Sequence, residues 1–88
     1  MTLESLKKYI DTQIKDMNRY IDTNPYCTKP LETINHTESR CFGAVDYAVQ
    51  MTDIGFERID TMWFGYLDYF RNRRNEVREN ERKKKNHV

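Results

Sequence analysis

Glycine and proline are scarce in this chain. Three glycines and two prolines in 88 residues are too few for the turns of an all-β fold. Cysteine is almost as rare: Cys27 and Cys41 read as free thiols of a reducing compartment. No run approaches the roughly 18 apolar residues that cross a bilayer, so no membrane partner is expected. The opening MTLESLKKYIDTQIKDM has neither a basic leader nor an apolar run. No signal peptide is expected, and the expected location is cytoplasmic. Asn35-His36-Thr37 matches the glycosylation sequon, which has no consequence without a secretory route.

Catalytic and metal-binding patterns are missing too. His36 and His87 stand at no ligand spacing from each other or from a cysteine, and there is neither HExxH nor CxxC. No metal and no cofactor are therefore expected. Cys41 follows His36 closely, but a nucleophile pair needs an orienting group and an oxyanion site. A cysteine among Phe42, Ala44 and Val45 reads more simply as a small core residue. Asp46 stands out in an otherwise apolar stretch and is expected to pair with a tyrosine or an arginine. No catalytic residue and no small-molecule substrate is indicated, and the chain is read as a non-enzyme.

What is present is a modest hydrophobic supply and abundant charge. Hydrophobic residues make up 38% and charged residues 33% of the chain, a globular balance. The length suits one domain near the lower limit for independent folding, where self-association often adds burial. The net charge of +1 conceals an asymmetry: residues 1–70 sum to −4 and residues 71–88 to +5. The chain is read as a single helical domain, 1–88, with a basic C-terminal extension at about 71–88.

Three helices are expected. Leu3, Leu6, Ile10, Ile14, Met17 and Ile21 recur at helical spacing and predict a helix over 2–22. Thr2 is its expected cap, and Thr23-Asn24-Pro25 its stop. Residues 23–36 read as a connection, with Pro30 able to open one turn near 30–34. A second helix is expected over 37–53, capped by Thr37, with Cys41, Val45 and Ala48 on its buried side. Gly43 in that helix suggests close packing, and Gly55 a left-handed terminus. The third helix is expected over 56–82, forming an antiparallel hairpin with the second. The fold class is all-α, a small three-helix bundle with a long C-terminal helix.

That last helix carries both candidate sites. Trp63, Phe64, Tyr66, Tyr69 and Phe70 surround it within eight residues, more aromatic surface than two partner helices obviously cover. They are the expected interface of a self-associating protein-interaction module, most simply a homodimer. Arg71, Arg74, Arg78, Arg82, Lys83, Lys84 and Lys85 offer an alternative contact with nucleic acid. An adaptor or inhibitor that occupies a larger protein is the third reading.

Overall fold

The computed structural model describes residues 1–23 and 29–85, with Lys84 and Lys85 described by backbone alone. The readings placed on Pro25, Tyr26, Cys27 and His87, and on the side chains of Lys84 and Lys85, fall outside the described residues. Three helices follow in order: α1 (Leu3–Thr23), α2 (Pro30–Met51) and α3 (Phe56–Lys85). Among the described residues there are no strands. The result is the expected all-α bundle.

α1 begins where its cap predicts. The Thr2 hydroxyl accepts the Ser5 backbone N–H at 3.1 Å, and the Thr2 N–H donates to Ser5 Oγ at 2.9 Å. Two first-turn donors are thus satisfied reciprocally. Its apolar stripe buries Leu6, Ile10 and Met17, with Leu3, Ile14 and Ile21 half-buried beside them.

α2 starts seven residues earlier than expected. Pro30 occupies its first turn, where the missing N–H costs nothing and the ring pre-sets φ. Residues 30–36 are therefore helix and not connection. Thr37 is not a cap but an interior residue, buried, with its hydroxyl donating to the Thr33 carbonyl at 2.9 Å. The extension is held by burial: Ile34 is fully enclosed and belongs to the same core cluster as Cys41, Val45 and Ala48. The helix ends at Met51, two residues short of the expected boundary, where Thr52 turns extended and its hydroxyl donates to the Ala48 carbonyl at 2.6 Å. Gly55 has φ +103°, but it serves α3 and not the end of α2. Its carbonyl accepts the Ile59 N–H at 3.2 Å, so the left-handed residue is the first cap of the third helix. Gly43 faces outward, and a Cβ added there would meet nothing within 4 Å. Close packing is therefore not its role in the single chain.

The helices run up, down and up in a body 54 × 20 × 16 Å. α1 packs closely on α2 and α2 on α3, while the backbones of α1 and α3 stand farther apart. Side chains bridge that third seam. Tyr66 donates to Asp11 at 2.6 Å, Asn18 donates to the Tyr69 hydroxyl at 2.6 Å, and Arg73 reaches Asp22 at 2.8 Å. The rising numbers on both helices show α1 and α3 to be parallel. The core lies between all three and runs from Leu6 and Ile59 to Ile34 and Val77. Because α2 begins at Pro30, it lies alongside more of α3 than expected. Val77 is buried, and Arg74 meets Glu38 of α2 at 3.2 Å.

Candidate functional site

The expected interface aromatics divide among three environments. Trp63 and Phe70 are core residues, 5% and 0% exposed, with ring centroids 6.3 Å apart. Tyr66 and Tyr69 are half-buried on the side of α3 that faces α1. Each hydroxyl is used there, one toward Asp11 and the other toward Asn18. Burial, reinforced by the hydrogen bond to Asp11, pushes the Tyr66 hydroxyl pKa well above the usual tyrosine value. Phe64 alone of the five is largely exposed.

Other exposed apolar side chains join Phe64. Phe42 is 54% exposed, Phe64 60% and Phe56 64%, with Val49 also at the surface. Helical phase places them together. Phe42 and Val49 are seven residues apart on α2, on the side that carries Glu38 toward α3. Phe42 touches Trp63, with centroids 6.2 Å apart. Phe56 and Phe64 occupy the side of α3 that faces α2 and the solvent beyond it. Phe56 is exposed at the first residue of α3. The α2–α3 face opposite α1 thus carries an apolar strip of three phenylalanines and a valine.

Asp46 flanks this strip. It is exposed and accepts from Gln50 Nε2 at 3.1 Å, so the expected tyrosine or arginine partner is not what it meets. Its phase turns it away from both neighbouring helices.

The basic end is more engaged than its composition implies. Arg71 pairs with Asp68, Arg74 with Glu38 and Arg82 with Glu79. Arg73 is the most enclosed of the group, its side chain 10% exposed and shared between Asp22 and Glu76 at 2.8 Å each. Arg78 and Lys83 remain exposed and make no ion pair among the described residues.

Cys41 sits eleven residues into α2, away from the helix N-terminus that would activate it. Burial pushes its thiol pKa up to about 11, opposed by Arg40 and helped by Glu38. A neutral, enclosed thiol is a poor nucleophile, and His36 is exposed on another side of the helix. No three His, Cys, Asp or Glu side chains come together as a metal site among the described residues. No described helix is long and apolar enough to cross a membrane.

One concave feature lies on the opposite flank of α3. The wide α1–α3 seam leaves a groove of about 600 Å³ lined by Leu3, Ile14, Met62, Gly65, Tyr66 and Tyr69, with Lys7, Asp11 and Arg58 also on its walls. Sequence singles out Tyr66 and Tyr69 as interface residues and Leu3 and Ile14 as part of the α1 stripe, but not the groove they form. The signal available was weak: Gly65 interrupts an aromatic run, and Lys7 and Arg58 lie near opposite helix starts.

Comparison with known protein families, curated proteins and solved structures finds no match to this chain.

Proposed function

We propose that this chain is a small, non-catalytic, cytoplasmic protein-interaction module whose partner is a second copy of itself. The contact is the outer face of the α2–α3 hairpin. The observation that carries this reading is the exposure of Phe42, Phe56 and Phe64 on one face of a molecule with a small core. Exposed apolar strips of this kind mark interfaces, and aromatic residues are enriched at their centres. Self-association would also add the burial that a domain of this length lacks.

The charge pattern fits a two-fold contact. Asp60 and Arg71 share the outer side of α3 with Phe64 and Leu67. An antiparallel pairing of two α3 helices about the Phe64–Leu67 midpoint sets each Asp60 against the other copy's Arg71. Such self-complementarity is what a closed dimer requires. The nucleic-acid reading has less support, because Arg74 is already engaged by Glu38 across the α2–α3 seam and Arg82 by Glu79.

Sedimentation velocity across a micromolar concentration series tests the proposal. The wild type is expected to dimerise, and Phe42→Glu/Phe64→Glu to remain monomeric with unchanged helical circular dichroism. A wild type that stays monomeric at high micromolar concentration removes the proposal.

A further inference from the structure

The groove between α1 and α3 has the form of a slot with different ends. At one end Asn18 donates to Tyr69 at 2.6 Å and accepts from Arg73 Nε at 3.0 Å, so hydrogen bonds close the seam. At the other end stand Lys7 and Arg58, neither in an ion pair among the described residues. Leu3 lies beside them at that mouth, and from there to Asn18 the walls are Ile14, Met62 and the rings of Tyr66 and Tyr69. From Lys7 to Ile14 the α1 wall rises about 10 Å. Gly65 leaves the slot open, since a Cβ built there would meet nothing within 4 Å.

We propose that this slot binds a medium-chain aliphatic carboxylate, with the tail along Met62, Ile14 and the rings of Tyr66 and Tyr69 and the head group at Lys7 and Arg58. The volume of about 600 Å³ falls within the range of small-molecule sites. The polarity selects the sign of the head group. The one carboxylate on the walls, Asp11, already accepts the Tyr66 hydroxyl at 2.6 Å, whereas neither cation is in an ion pair among the described residues. Lys7 and Arg58 can each donate charge-assisted hydrogen bonds to a carboxylate. This site lies on the flank of α3 opposite the proposed dimer contact and does not depend on it.

The test is an amide chemical-shift titration of the full chain with sodium decanoate, alongside decyltrimethylammonium as the cationic control. Decanoate is expected to shift the amides of Lys7, Ile14, Met62 and Gly65. Gly65→Leu, which fills the slot from an open position, is expected to abolish those shifts. Lys7→Gln/Arg58→Gln, both surface changes, is expected to weaken binding about tenfold. The proposal is overturned if decanoate produces no shift, if the cation binds as well as the anion, or if the double variant binds decanoate like wild type. Equal shifts from raising the protein concentration alone would assign the groove to a second copy and overturn it as well.

Discussion

The two flanks of α3 are built from similar residues and come out differently. Toward α2 the backbones are close, and the side chains pack: Trp63 and Phe70 are enclosed with Cys41 and Val45. What does not fit into that seam, Phe42, Phe56 and Phe64, remains on its outer edge. Toward α1 the backbones are farther apart, and long polar side chains span the gap through Asp11–Tyr66, Asn18–Tyr69 and Arg73–Asp22. The apolar residues beneath them line a groove. The spacing between helices decides whether an apolar side chain becomes core, groove wall or surface, and composition alone cannot assign it. One flank offers a convex apolar strip and the other a concave slot, which is why they receive different partners in this account.

The sharpest way to break this comparison is to remove the packed flank. Phe70→Ala deletes a fully buried ring next to Trp63 and Tyr69. A loss of about 3–5 kcal/mol is expected, a large share of the stability of a domain this size. Urea unfolding measures it, and a loss under 1 kcal/mol would mean that the seam is not packed.

Titration separates the two flanks. The folded state holds the Cys41 proton more tightly than the unfolded chain does, with a pKa of about 11 against 9.0. That contribution is fully present below pH 9 and is lost as pH rises through 11, at most about 2–3 kcal/mol. Tyr66 is raised as well, so its contribution is lost only above its ordinary value of 10.0. Unfolding curves from pH 8 to 11 should therefore show an early fall that Cys41→Ala removes. A later fall should be blunted by Tyr66→Phe. An unchanged early fall in Cys41→Ala would contradict the burial of the thiol.

The bridged flank should respond more weakly. Arg73→Ala leaves Asn18 and Asp22 without their partner. Both acids that hold Arg73 are exposed, 64% for Asp22 and 61% for Glu76, so solvent screens the pairs and the expected loss is about 1–2 kcal/mol. Arg82→Ala, at an exposed pair with Glu79, should cost under about 0.5 kcal/mol by comparison. Equal losses from the two, by the same unfolding measurement, would show that Arg73 does not tie α1 to α3.

Much of this architecture is legible in the residues. The α1 stripe and the Thr2 cap lie in local spacing, and both occur as expected. Asn35, His36 and Thr37 look like a helix start and conceal the true start of α2 at Pro30. The longer pattern Ile34, Cys41, Val45, Ala48 already runs through them at helical period, and Pro30 is the better first residue. The positive φ of Gly55 is legible in the sequence, but which helix it serves depends on where α2 stops. The aromatic surplus of α3 was read from number alone. Trp63 finds cover against Cys41, Val45 and Phe42 of α2 and Phe70 in the same enclosed core, and Tyr66 and Tyr69 find hydrogen-bond partners on α1. The exposed strip borrows Phe42 and Val49 from α2, a juxtaposition that only the hairpin register creates. The groove could not be read at all, since it exists only through the distance between two helices that are remote in sequence.

The central claim is that the α2–α3 face meets a second copy while the α1–α3 flank does not. An amide spectrum followed through dilution from high to low micromolar tests it most directly. The account predicts concentration-dependent shifts at Phe42, Val49, Phe56 and Phe64, with Lys7, Ile14, Met62 and Gly65 unmoved. Shifts confined to the second set, or none in either, would contradict it.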